Sequence, residues 1–300
     1  MQPTQISIII PTFNRPEHLS TCLRSITQLN FPKSGFEVVV VDDGGNVELE
    51  PIIQPLREEV QVQLIRQKNT GPAGARNNGA AHARGEFIAF TDDDCIPDGE
   101  WLLAYSRCLK KDPLRLYGGR TINGLVNNIY STASQLVIDH LYEYYNRTQE
   151  GARFFTSNNL AMTRAMFGSV GGFDTCFSLA SGEDREFCDR WLHSGHRMTY
   201  VPDACVTHNH NLGFSSFRRQ HFSYGRGAWH FREVKRRRSK STPKLEPPPF
   251  YLGILCIAWK KNLPRPWTLS MLMVLSQLAN AVGFFWEMFN RKTDKGLKAE

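Results

Sequence analysis

Three consecutive aspartates, Asp92, Asp93 and Asp94, follow the apolar run Phe87 to Phe90 and precede Cys95, Ile96 and Pro97. A carboxylate cluster at the end of a buried strand occupies the place where open α/β sheets bind their ligands. In an extended chain residues i and i+2 point the same way, so Asp92 and Asp94 are expected to face one ligand while Asp93 turns aside. Two hard oxygen donors converging on one point suit Mg2+ or Mn2+, and such a cation suits a diphosphate. An acidic turn that satisfies its own backbone is the plain alternative for these three residues alone.

The elements that must position this cluster can be read from hydrophobic periodicity. Ile6 to Ile10 and Phe36 to Val41 are continuous β-branched or aromatic runs, the pattern of parallel strands buried on both faces. Between them Leu19, Cys22, Leu23, Ile26 and Leu29 recur at helical intervals over Glu17 to Leu29. Further strands are expected at Val60 to Arg66 and Glu86 to Thr91, with a helix from Ala73 to Ala83 between them. Repeated βαβ units imply right-handed crossovers and a doubly wound, mostly parallel sheet with its crevice at the C-terminal strand ends. Polar residues gather at those ends: Thr12, Asn14 and Arg15 after the first strand, Asp42, Asp43 and Gly44 after the second. Further on, a strand is expected at Met198 to Val206, and Asn127 to Tyr145 reads as an aromatic-rich helix.

The 300 residues are 41% hydrophobic and 22% charged, the make-up of an ordinary globular protein and of neither a disordered nor a fibrous one. Seven scattered cysteines with no Cys-x-x-Cys spacing argue against a disulfide framework or a zinc site. The N-terminus lacks a basic segment before Ile6, so a cleaved secretory signal is not expected. The net charge of +7 is concentrated: residues 215–244 hold ten Lys or Arg against the single acid Glu233. This basic collar precedes Pro247, Pro248 and Pro249, an apolar stretch from Phe250 to Trp259, and an uncharged 20-residue stretch from Trp267 to Trp286. The second stretch reaches bilayer-spanning length, and its bracketing tryptophans suit a membrane interface. Cations beside apolar segments suit an anionic cytoplasmic leaflet. His221 and His230, inside the collar, are expected at the surface.

Ile10-Pro11-Thr12-Phe13-Asn14-Arg15, Val41-Asp42-Asp43-Gly44, Gly71-Pro72-Ala73-Gly74-Ala75-Arg76-Asn77-Asn78-Gly79, Asp92-Asp93-Asp94 and Gly182-Glu183-Asp184 together resemble the ordered motif set of family 2 glycosyltransferases. The resemblance covers roughly residues 5–210. It implies a glycosyltransferase-A fold, a nucleotide-diphosphate sugar donor, Mn2+ or Mg2+ as cofactor, and inversion at the anomeric carbon. The Gln-x-x-Arg-Trp motif of the processive synthases is missing; Asp189-Arg190-Trp191 follows Glu183 too closely to serve.

The resemblance also implies roles. Pro11, Thr12, Asn14 and Arg15 would line the donor, Asp43 supported by Asp42 would accept the nucleobase imide N–H, and Arg76 would reach phosphate. Asp94 would ligate the metal, with Asp92 and Asp93 contacting ribose, metal-bound water or the metal, and His208 is a further candidate ligand beside His210. Asp184, paired with Glu183, would be the general base, in a position where a helix macrodipole also favours an acid. Ser157 to Met162 would line the acceptor side, near a tight turn at Gly171 and Gly172.

The expected organisation is a catalytic domain over residues 1–214 and a basic, apolar helical extension over 215–300. The expected activity is transfer of one sugar to a lipid-linked or polysaccharide precursor at the cytoplasmic face of a membrane. Two other classes fit less of the chain. A nucleic-acid binder would use the collar with Phe217, Phe222, Tyr224, Trp229 and Phe231 as stacking surfaces, but leaves the acidic crevice without a purpose. A catalytically silent sugar-nucleotide or polysaccharide binder would not need both Asp94 and Asp184. A nucleotidyltransferase would carry a glycine-rich loop where Pro11 to Arg15 has no glycine.

Overall fold

The computed structural model describes residues 5–177, 181–240 and 245–296, with side chains as far as Asn290. Lys244 and the side chains of Arg291 and Lys292 lie outside that set. In chain order the elements are β1 (Ile6–Thr12), α1 (Pro16–Ile26), β2 (Phe36–Asp42), α2 (Glu50–Ile53), β3 (Gln61–Arg66), α3 (Gly71–His82), β4 (Phe87–Thr91), β5 (Cys95–Pro97), α4 (Trp101–Lys111) and β6 (Leu116–Asn123). There follow α5 (Ile129–Tyr145), β7 (Asn159–Thr163), α6 (Arg164–Val170), α7 (Glu183–His193), β8 (Met198–His208), α8 (Phe214–Ser239), α9 (Pro248–Lys260) and α10 (Pro266–Gly296).

The strands form one eight-stranded sheet in the order β3-β2-β1-β4-β7-β6-β8-β5. From β3 to β4 every pairing is parallel, with Thr12 level with Asp42 and Ile9 level with Phe90. Beyond β4 the sheet is mixed: β7 runs antiparallel to β4 and β6, β8 parallel to β6, and β5 antiparallel to β8. The strand expected at Val60 to Arg66 is the half-exposed edge strand β3, which accounts for its polar residues.

Both faces of β1 and β2 are covered, which is why their middles are apolar without alternation, the buried Ser7 and Glu37 satisfying each other at 2.6 Å. Ile6, Ile8, Ile10, Val38 and Val40 pack with Leu19 and Leu23 of α1 and Trp101 and Tyr105 of α4. Ile9, Val39 and Val41 pack on the opposite face with Ala73 of α3, Phe167 of α6, and Phe187 and Trp191 of α7. The approach of α3 to β1 depends on Gly79, where an added Cβ would lie 2.5 Å from Ile9 Cγ2. The helix can therefore bring Arg76 down to the strand ends.

A third apolar cluster joins α5 to the C-terminal helices through Leu136, Phe217, Phe250, Ile257, Leu269 and Met273. The collar is thus not a linker: it forms the 26-residue helix α8. Helix α10 runs alongside in the same direction, since Gly283 meets Phe222 while Glu287 bonds Arg226 and His230. An added Cβ at Gly225 would lie 1.8 Å from Asn280 O, and one at Gly283 2.0 Å from Phe222 O. The two helices touch at the backbone.

Candidate active site

The aspartate cluster does not stay extended. Cys95 N donates to Asp92 O at 3.1 Å, closing a turn between β4 and β5, so the expected convergence of Asp92 with Asp94 gives way to a different pairing. Asp93 and Asp94 share Arg15, whose Nη2 lies 2.6 Å from Asp93 Oδ1 and whose Nη1 lies 2.9 Å from Asp94 Oδ2. Thr12 Oγ1 donates to Asp93 Oδ2 at 2.6 Å. Burial pushes the Asp93 carboxyl up to about 7 against the pull of Arg15. Asp94 is buried as well, but the hydrogen bond and charge of His208, with Arg15, outweigh that and hold its carboxyl well below the usual range.

His208 Nε2 lies 3.2 Å from Asp94 Oδ1, across the β5–β8 pairing that sets Cys95 level with His208. Burial lowers the His208 imidazole, and the hydrogen bond and charge of Asp94, with the charge of Asp92, together raise it by more. His210 stacks on His208 with ring centroids 4.1 Å apart, and both its ring nitrogens are buried without a hydrogen-bond partner. Asp94, Cys95 and His208 are the one grouping among the described residues whose ligand atoms all lie close enough to share an ion. Burial and the nearby carboxylates push the Cys95 thiol up, and Asp94 and His208 offer an oxygen and a nitrogen donor beside it. Such a set fits Mn2+, and Mg2+ less closely. A cleft of about 220 Å³ opens beside it, between Glu17, His18 and Thr21 of α1 and the turn residues Asp93 to Cys95.

Asp92 points elsewhere, accepting from Arg76 Nη2 at 2.5 Å. Arg76, expected at a phosphate, is only 3% exposed, and its Nη1 lies 3.4 Å from Glu183 Oε1 at the start of α7. One guanidinium therefore ties the aspartate turn to the helix that carries Asp184. Burial first, then the charge of Asp184, pushes the Glu183 carboxyl up to about 8. Burial also raises Asp184, which remains partly exposed and accepts from Arg185 N at 2.6 Å.

Asp43 faces the start of α3. Its Oδ1 accepts from Thr70 N at 2.9 Å and Gln67 Nε2 at 2.7 Å, and its Oδ2 from Gly71 N at 2.9 Å. Most of its acceptor capacity is thus spent on the helix start. Asp42 accepts from Gly45 N, and Asn14, at φ 54, accepts from Asn46 N, so Pro11 to Asn14 and Asp42 to Asn46 form one braced rim. In the stretch expected to line the acceptor, Asn158 Nδ2 reaches Cys95 Sγ at 3.7 Å, but Asn159 is fully buried. It accepts from Trp101 Nε1 and Tyr105 Oη and donates to Arg120 O and Ala204 O, a structural knot instead of the acceptor wall expected. The turn at Gly171 and Gly172 forms with φ of 91° and 65°, and Asn77 clamps it through two bonds to Phe173.

Helix α8 closes the crevice on the side of Asp184. Ser181 Oγ donates to Ser223 O at 2.7 Å, and Gly227 approaches so closely that an added Cβ would lie 2.3 Å from Ser181 O. Burial raises the Tyr224 phenol, with the charges of Asp184 and Glu183 adding to the rise. His221, expected at the surface, is 1% exposed, and burial lowers it to about 4. Phe217 and Phe231, weighed as stacking surfaces, are buried too. A collar read as solvated hides these contacts, although the spacing of Phe217, His221 and Tyr224 on one helical face was available.

A sheet whose strand ends gather acids, a histidine and an arginine around one cleft defines a glycosyltransferase-A fold and a site for a charged ligand. Residues 7–171 match the glycosyl transferase family 2 profile, and the chain belongs to that family. Residues 138–211 also match a profile described as the N-terminal domain of galactosyltransferase. Hyaluronan synthase of Pasteurella multocida is 29% identical over 247 residues, which cover 71% of this chain but 25% of that protein. Glycosyltransferase AglE of Haloferax volcanii is 27% identical, over 74% of this chain and 72% of its own. Among solved structures, the mannosyltransferase PcManGT of Pyrobaculum calidifontis, in complex with GDP-Man and Mn2+, superposes with a TM-score of 0.66 at 17% identity, covering 96% of this chain and 90% of that one. TarS of S. aureus in complex with UDP-GlcNAc superposes at 0.53 and 18% identity, covering 97% and 92%.

Proposed function

We propose that this glycosyltransferase is an inverting, metal-dependent enzyme that passes one sugar from a nucleotide-diphosphate donor to a hydroxyl on a lipid-linked or polysaccharide precursor, at the cytoplasmic face of a membrane. The observation that carries the reading is the bridge Asp92–Arg76–Glu183, which joins the aspartate turn to the start of α7 and so sets a candidate base beside a candidate donor site. Asp94 and His208 would hold Mn2+ or Mg2+, and the bound cation would supply charge neutralisation on the diphosphate. Arg15, half-exposed over Asp93 and Asp94, would turn toward a phosphate. Asp184 would take the proton from the incoming hydroxyl, and its raised pKa makes it a better base than an exposed aspartate. Glu183 and Arg76 would keep that carboxylate in position. The catalytic unit would comprise residues 1–214, with 215–300 as its membrane-facing extension.

The deciding experiment is calorimetric binding of UDP, GDP, TDP and CMP, with and without Mn2+, to the wild type and Asp94→Ala. One diphosphate binding only with metal and only to the wild type is the expected result. Metal-independent binding, or equal binding by Asp94→Ala, removes the donor-site assignment.

A further inference from the structure

Helix α10 has an apolar exterior. Trp267, Met271, Val274, Leu278, Val282, Phe285 and Phe289 recur every three or four residues and are all exposed, Trp267 by 74% and Leu278 by 59%. The opposite face, with Leu269, Met273, Ser276, Gly283 and Glu287, is buried. An amphipathic helix normally turns its apolar face inward and shows a polar one to water. Here the inner face holds the carboxylate and the outer face holds none among the described residues, because Glu287 is bound by Arg226 and His230. The stripe continues onto α9 through Leu252 and Trp259, whose ring meets that of Trp267 at 4.7 Å.

By length and composition Pro266–Asn290 is able to cross a bilayer. Its attachment argues otherwise. The backbone contact at Gly225 and Gly283 leaves no room for lipid between α8 and α10, so a spanning α10 would carry α8 with it. With Phe222 level with Gly283, that would draw Arg218 and Arg219 to the depth of the middle of the span, at about 2.5 to 3.5 kcal/mol for each arginine at the centre. The cations around the stripe suit a different arrangement. Lys235 and Arg238 are spent on Asp189 and Glu186 of α7. Arg219, Arg237 and Arg265 are exposed and have no ion-pair partner among the described residues. Arg226 lies over the Trp286 ring at 4.6 Å, a tryptophan held at a charged boundary.

We propose that α10 lies in the plane of an anionic bilayer, its outer face sunk to the acyl boundary and its inner face still packed on α8, without crossing the membrane. This deepens the membrane half of the proposed function and rests on that half alone, not on the donor chemistry. Tryptophans near both ends of the stripe, the exposed Arg265 immediately before it and no acid within it match the demands of such an interface.

The test uses the full-length protein with phosphatidylcholine vesicles, with and without phosphatidylglycerol. Co-sedimentation is expected with the anionic vesicles, with release by alkaline carbonate and with Trp267 and Trp286 both reached by lipids brominated near the headgroup. The double variant Leu278→Glu/Val282→Glu is expected to lose vesicle partitioning at least roughly tenfold while its oligomeric state and nucleotide binding stay those of the wild type. Resistance to carbonate would overturn the proposal in favour of a spanning helix. A wild type that ignores vesicles and sediments as a dimer dispersed by the same variant would assign the stripe to a second copy. Nucleotide binding without vesicle binding would refute this proposal and leave the donor site standing; vesicle binding without nucleotide binding would do the reverse.

Discussion

Arg76→Met removes one buried guanidinium and leaves two carboxylates without their partner. Asp92 accepts the shorter bond, at 2.5 Å, and its side chain is 24% exposed, so water can take over part of that loss. Glu183 is 6% exposed at 3.4 Å, but with its carboxyl near 8 it is mostly protonated at neutral pH and costs little there. Breaking a buried pair by deleting one partner costs about 3 to 5 kcal/mol. With Asp92 partly wet and Glu183 mostly neutral, the lower figure of about 3 kcal/mol applies at pH 7. The cost should grow above pH 8, where wild-type Glu183 ionises and draws on Arg76. Urea unfolding of wild type, Arg76→Met, Glu183→Gln and the double variant at pH 6, 7.5 and 9 measures the coupling directly. In the Glu183→Gln background the Arg76→Met cost should lose its pH dependence. A cost below about 1 kcal/mol at every pH, or one equally pH-dependent in both backgrounds, refutes the bridge.

Glu183→Gln alone tests the sign of the titration. Because the folded-state pKa rises from its ordinary 4.5 to about 8, the folded protein holds a proton that the unfolded chain releases, and wild-type stability falls as pH rises across that window. At about 1.4 kcal/mol per pH unit the ceiling is on the order of 5 kcal/mol, and the Gln variant should flatten the slope; an unchanged slope assigns it to another group. Asp184→Asn should lower transfer by about 10²- to 10⁴-fold while sparing donor affinity, and normal turnover would remove Asp184 from the base role. Asn159→Ala strips four buried hydrogen bonds and should cost at least about 3 kcal/mol with nucleotide binding intact in the folded fraction, whereas a loss under 1 kcal/mol would show the knot to be dispensable.

The parallel half of the sheet was legible because burial on both faces writes itself as nearly continuous apolar runs, as in Ile6 to Ile10 and Phe36 to Val41, broken only by Ser7 and Glu37, which bond each other. In the mixed half only β8 was, its expected strand at Met198 to Val206 forming as Met198–His208. β7, Asn159–Thr163, is five residues opening on a buried asparagine, and nothing local distinguishes it from a loop until Trp101 and Tyr105 are seen to satisfy that side chain. The acids of the site were found by position, but their partners were not. Arg76 and Glu183 are 107 residues apart, and no spacing rule links them. The expected alternation of Asp92 and Asp94 failed because a turn, set by one backbone hydrogen bond, replaced an extended segment. His221 was misplaced for a related reason: a run of cations suggests exposure, yet a helix has two sides, and the apolar one here is supplied by Phe217 and Gly225 among the charges.

Helix α8 is in backbone contact on two sides, with the Ser181–Gly182 turn through Ser223 and Gly227, and with α10 through Phe222 and Gly225. Packed side chains normally absorb small displacements by changing rotamer. Glycine contacts remove that cushion, so a shift of the outer helix reaches the turn preceding Asp184 undamped. The helix is then a rigid strut between α10 and the turn that precedes Asp184, and on the proposed reading a change at the bilayer would be felt at the candidate base.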